Sequence, residues 1–134
     1  MARNARLTWP ARCPYSPEIN RPGGGKYRRG APSTMAKVKH IALIQFKADT
    51  TPEQIDQVFS ALLDLSESIP GVEDFISGPN NSPEGLAGGH THAFIMTLAD
   101  AAARDAYLTH PEHQAFVQNN LPLIEKVTVV DFEL

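Results

Sequence analysis

The nine residues "VKHIALIQF", Val38–Phe46, carry the fold. Their density of β-branched and aromatic side chains reads as a strand. His40, Ala42, Ile44 and Phe46 fall on one face; Lys39, Ile41, Leu43, Gln45 and Lys47 fall on the other. A strand that is apolar in the middle of both faces is expected to be covered on both sides. The rest of the chain must therefore supply two covers.

Downstream, "TPEQ" at Thr51–Gln54 announces a helix. Thr51 is placed to cap it, Pro52 suits its first position and Gln54 completes a capping box. Ile55, Val58, Phe59, Leu62 and Leu63 then form one apolar stripe, and Ile69-Pro70-Gly71 ends the helix. "VEDFIS" (Val72–Ser77) reads as a second strand. "GPNNSPEGLAGG" (Gly78–Gly89) reads as a loop, and its length favours a lid or a mobile crossing. "HTHAFIMTL" (His90–Leu98) is a third strand, with His90, His92, Phe94, Met96 and Leu98 on one face.

Asp100 is placed to cap a second helix over Ala101–Leu108. Pro111 breaks it at His110 and starts a new segment, Glu112–Asn120, since proline disfavours helical geometry in the residue before it and suits a first helical turn. "KVTVVDFEL" (Lys126–Leu134) closes the chain as an alternating strand. The order β-α-β-β-α-β is a ferredoxin-like split βαβ, an α+β fold. Its helices cover one sheet face only. The other, carrying Ile41 and Leu43, predicts a two-fold dimer with sheets face to face.

Composition divides the chain near Met35. Residues 1–34 hold seven of the twelve basic residues, one of the fifteen acids, five of the eleven prolines and the only Cys and Trp; they are net +6 where residues 35–134 are net −9. Such a Pro/Gly/Arg-rich stretch cannot bury enough apolar surface to offset its ordering entropy. Residues 1–34 are expected to be a disordered basic tail or an upstream extension, and residues 35–134 one globular domain. One cysteine excludes an internal disulfide framework. No apolar run approaches the roughly 20 residues of a spanning helix, so a soluble, cytoplasmic protein without membrane partners is expected. The domain's negative charge argues against nucleic acid as a partner.

The chemistry-bearing stretch is "AYLTHPEHQAF", Ala106–Phe116. His113 falls near the third position of the new helix, where unpaired backbone N–H groups disfavour imidazolium and leave a neutral base. Tyr107 ends the preceding helix and can donate to a developing oxyanion. The same two residues could instead hydrogen-bond backbone groups freed by the break, and His110 reads as a cap. His40 and His92 sit on otherwise apolar faces, where core histidines are common; His90 flanks the loop and is expected to be exposed. His90-x-His92 and His110-x-x-His113 are too sparse for a closed metal site, so no metal is expected. G-x-S-x-G, G-x-G-x-x-G and P-loop patterns are absent, leaving nucleophilic hydrolases and nucleotide cofactors without support. A cofactor-free monooxygenase-like enzyme on a similar dimeric fold is a lesser alternative, since such enzymes often lean on a pocket Trp and residues 35–134 hold none.

"VKHIALIQFK", "IPGV", "HTHAFIMTL", "YLTHPEHQAF" and "VTVVDFEL", in that order, resemble the stress-responsive A/B barrel family across residues 36–134. The resemblance implies ferredoxin-like protomers paired into a dimeric α/β barrel, some assembling further, and in most members no assigned reaction. One branch includes a plant polyketide cyclase that performs a cofactor-free aldol condensation with a tyrosine and a histidine. Those positions fall on Tyr107 and His113, with His40, His92 and His110 at the family's other histidines. Leu62 stands where the cyclase has a second tyrosine. The resemblance implies a small hydrophobic or polyketide-like ligand, no cofactor, and a pocket walled by Ala42, Ile44, Phe59, Leu62, Phe94 and Phe116. It leaves two readings, a lyase or cyclase and a non-catalytic stress-associated binding or assembly module.

Overall fold

The computed structural model describes residues 36–134; the readings made for residues 1–34 lie outside them. The elements are β1 (Val38–Phe46), α1 (Pro52–Ser68), β2 (Val72–Pro79), β3 (His92–Leu98), α2 (Ala101–Thr109), α3 (Pro111–Asn120), a 3₁₀ turn (Leu121–Leu123) and β4 (Ile124–Glu133). The strands form one antiparallel sheet in the order β2-β3-β1-β4. This is the ferredoxin-like α+β protomer expected from the element order.

The alternation in β1 becomes two different environments. Val38, His40, Ala42, Ile44 and Phe46 are all buried beneath the helices. The intervening residues are only half-buried. Val58, Leu62, Leu65 and Ile69 of the α1 region meet Met96 and Leu98 in the core. Leu63 was expected on the α1 stripe but is 45% exposed. At about 100° per residue the buried stripe runs 58, 62, 65, and Leu63 is carried off it.

Local chemistry fixes the helix ends. Thr51 Oγ1 accepts from Gln54 N–H at 3.2 Å, and Gln54 Oε1 accepts from Thr51 N–H at 2.9 Å. Asp100 Oδ1 accepts from Ala103 N–H at 2.7 Å at the start of α2. Gly71 turns the chain from α1 into β2 with φ +92°. A Cβ there would stand 2.7 Å from the Ala103 Cβ, so glycine satisfies both the dihedral and the close approach.

Three strand boundaries differ from the sequence reading. β2 runs on to Pro79, at a sheet edge where a missing N–H leaves the ladder intact. β3 starts at His92, because His90 turns out of the strand into side-chain and loop bonds. β4 starts at Ile124, beyond an irregularity opposite Gln45/Phe46.

The Asn80–Thr91 loop is no lid over the helix-side face. It crosses the opposite face as a strap. His90 accepts from or donates to Thr128 Oγ1 at 2.9 Å through Nε2, and Lys126 Nζ donates to Gly88 O at 2.8 Å. Lys126 and Thr128 pair with Gln45 and Leu43, on the face away from the helices. His90 is thereby half-buried rather than exposed.

Past the strap no described element covers that face. Ile76, Ile95, Ile41 and Val130 stand opposite one another across all four strands. Ile76 and Val130 are each 56% exposed. No helix among the described residues is long and apolar enough to cross a membrane.

Candidate functional site

Between the helix-side face of β1 and β4 and the helices α1 and α3 lies a cavity of about 280 Å³. Three polar residues gather at one end: His40 from β1, Tyr107 from α2 and His113 from α3. The walls include Ala42, Ile44, Leu62, Phe94 and Phe116, and the mouth is rimmed by Leu121, Val127 and Val129. The rim is open where β4 forms the sheet edge; Val127 and Val129 stay 46% and 49% exposed. Among the described residues no Lys or Arg lines the cavity.

The helix break at Pro111 builds the polar end. Without it, the Leu108 carbonyl would accept from the N–H of residue 112. Glu112 N–H instead donates to His110 Nδ1 at 3.2 Å, so His110 caps α3. The freed Leu108 carbonyl accepts from Gln114 Nε2 at 2.7 Å and from His113 Nδ1 at 3.2 Å. A carbonyl only accepts, so Nδ1 of His113 carries the hydrogen and Nε2 has a bare lone pair. Burial pushes the His113 pKa down; the Leu108 bond opposes this, and His40 and His110 nearby add to the depression. The ring is neutral near pH 7.

The rings of Tyr107 and His113 have centroids 4.4 Å apart. Tyr107 is 1% exposed. Burial raises its pKa to about 12, so it remains a donor throughout the physiological range.

His40 is held from behind. Its Nδ1 donates to Asp131 Oδ1 at 2.8 Å, and Asp131 Oδ2 accepts from Arg104 Nη1 at 3.1 Å. Its ring sits 5.8 Å from Tyr107 and 5.9 Å from Phe94, centroid to centroid. Sequence reasoning missed Asp131 and Arg104. The only available signal for Asp131 was its place at the end of the alternating row Val127, Val129, Asp131.

The remaining candidates lie elsewhere. His92 packs between Phe46 and Phe59, each at 5.4 Å, and accepts from or donates to Thr91 Oγ1 at 2.9 Å. Burial lowers its pKa, with Asp56 opposing. It lines a groove beneath the strap instead of the cavity. Phe59 is engaged with Phe46 and His92 and is not a cavity wall, because its position on α1 carries it toward the β1–β3 end of the sheet. His110 stands outside the lining, committed to its cap. The two histidine pairs do not converge, and no group of three or more potential metal ligands comes together among the described residues.

Such a cavity can hold a neutral, mostly apolar molecule with its oxygen functions at the His–Tyr end. It presents the His113 base, the Tyr107 hydroxyl and the His40 imidazole to them.

Comparison with known proteins places this geometry. Residues 38–134 match the Stress responsive A/B Barrel Domain family. The stress-response A/B barrel domain-containing protein HS1 of Arabidopsis thaliana is 33% identical over 96 residues, covering 72% of this chain and 88% of that protein. Olivetolic acid cyclase of Cannabis sativa is 26% identical over 95 residues, covering 71% and 94%. Among solved structures, hydroxynitrile lyase from Passiflora edulis superposes with TM-score 0.70 at 25% identity, covering 75% and 94%. A dimeric ferredoxin-like protein of unknown function from Thermobifida fusca superposes with TM-score 0.63 at 29% identity, covering 74% and 92%. With its ferredoxin-like protomer and a match that spans the whole described sheet and its helices, the chain belongs to the stress-responsive A/B barrel domain family.

Proposed function

We propose that this protein is a homodimeric A/B barrel whose cavity performs cofactor-free lyase or cyclase chemistry on a neutral, largely apolar carbonyl compound. The observation that carries this reading is the pairing of Tyr107 and His113 at the closed end of an apolar cavity, with His113 fixed as a neutral base. The similarity to a cyclase and to a hydroxynitrile lyase supports it.

In the aldol case His113 Nε2 takes a proton from the carbon next to a carbonyl. Tyr107 O–H donates to that carbonyl oxygen as negative charge develops on it. The resulting carbanion attacks a second carbonyl carbon, forming the C–C bond, and the new alkoxide recovers the proton from the His113 imidazolium. Atoms and charge balance without a cofactor. The apolar walls fold the substrate so that the two reacting carbons meet. In a lyase, the same base would take a hydroxyl proton as the neighbouring carbon–carbon bond breaks; the oxygen's electrons form the new carbonyl, and the departing carbanion takes the proton back from the imidazolium. The described lining, apolar apart from its polar end, favours a neutral substrate over a free carboxylate or phosphate.

The second reading, a non-catalytic binding or assembly module, draws on the fact that His113 also satisfies the Leu108 carbonyl freed by the helix break. Turnover assays on β-diketone, polyketide-like and cyanohydrin substrates separate the two. Activity lost in both His113→Ala and Tyr107→Phe, with thermal stability retained, supports catalysis. A wild type without turnover, whose two variants only lose stability, establishes the binding module.

A further inference from the structure

We propose that Arg104 is a positioning residue of the cavity: by holding one oxygen of Asp131 it turns the other onto His40, which fixes the hydrogen of that imidazole on Nδ1 and leaves Nε2 free at the polar end. The proposal deepens the reading of the cavity as a reaction site and rests on it for its functional meaning.

Three elements meet in this arrangement. Arg104 lies three residues before Tyr107 on α2, so the helix face that presents the phenol also presents the guanidinium. Asp131 lies on the edge strand β4 and pairs directly with His40 on β1. The Arg104 side chain is 26% exposed and Asp131 20%, whereas His40 is 6% exposed, so the chain runs inward from a half-open ion pair to a buried ring. Arg104 Nε is also bonded to Asp105 Oδ1 at 2.7 Å, which holds the guanidinium plane in place. The charged or titratable groups around His40 are thus Asp131 on β4, Arg104, Asp105 and Tyr107 on α2, and His113 on α3.

The physical need is geometric. Asp131 has an edge-strand backbone and open solvent on one side, so its carboxylate is free to rotate unless a second donor engages it. A guanidinium offers several donors in a fixed plane and stays charged at all accessible pH values. With Oδ2 engaged by Arg104, Oδ1 is left facing the imidazole. A carboxylate only accepts, so the facing ring nitrogen must carry hydrogen. His40 and His113 then both present unprotonated Nε2 atoms beside one phenol.

The test needs no substrate, so its failure and the failure of the proposed reaction are distinguishable. Two-bond ¹H–¹⁵N spectra of the ¹⁵N-labelled full chain report the tautomer of His40 above the imidazole titration range. Wild type is expected to show the hydrogen on Nδ1, Arg104→Gln a mixture of tautomers, and Arg104→Lys, which keeps a donor and the charge, a return toward wild type. Asp131→Asn, read as a second variant, should also lose the pure Nδ1–H form. A His40 that stays wholly Nδ1–H in Arg104→Gln overturns the proposal, as does a wild type in the other tautomer.

Discussion

Tyr107 and His113 lie ring against ring, centroids 4.4 Å apart, on opposite sides of the helix break at His110–Pro111. One carbonyl explains the arrangement. Leu108, freed by the break, draws in His113 Nδ1, and that bond sets the imidazole against the phenol.

Removing either group should disable the proposed chemistry without removing the fold. His113→Ala is expected to lower kcat by about 10²–10⁴-fold, the usual contribution of a positioned base. Tyr107→Phe is expected to lower it by about 10²-fold or more, as for a lost oxyanion donor. Steady-state rates alongside thermal melts check both.

The pH profile follows from two shifts. In the proposed reaction His113 has to be neutral, and burial holds its pKa below the usual 6.5. Tyr107 must stay protonated, and its pKa is raised to about 12. The kcat/KM profile should therefore show one acid limb below pH 6.5 and a plateau across the neutral and mildly alkaline range. An acid limb above pH 7 would exclude His113 as the base.

Stability should respond to the same histidine and to His92. Both have folded pKa values below 6.5, so below that pH the unfolded chain binds more protons than the folded one. Their contribution is fully present above pH 6.5 and is lost as pH falls through the folded values. Urea midpoints measured on either side of pH 6.5 should fall toward acid, and less steeply in His92→Phe.

The bare sheet face predicts self-association. Light scattering should give twice the chain mass for wild type and the single-chain mass for Ile76→Asp. Ile76 is 56% exposed in the protomer, so an aspartate there leaves the protomer core untouched. A wild type that is a stable monomer would remove the face-to-face arrangement.

Two local substitutions test how the helices are set. Thr51→Ala removes the capping box of α1 and should cost about 1 kcal/mol. Gly71→Ala should cost more, about 1–3 kcal/mol, because a positive φ and the 2.7 Å approach to Ala103 both oppose a Cβ. Chemical denaturation of the two variants gives both values.

The sequence alone determined the elements, their order and the break at Pro111. Caps, stripes and alternation act within about twenty residues, so spacing along the chain is enough to read them. It also placed Tyr107 and His113 in one stretch. It did not place the strap, which the Gly-rich stretch left free to cross either face until His90 and Lys126 tied it to β4. It assigned Phe59 to the cavity wall, and the rotation of α1 took that ring against Phe46 and His92 instead. Only the tertiary structure joined His40 to Asp131, 91 residues away, and Asp131 to Arg104. That pairing depends on the register between β1 and β4, and register is set by the collective packing of a whole sheet face, which no local pattern encodes.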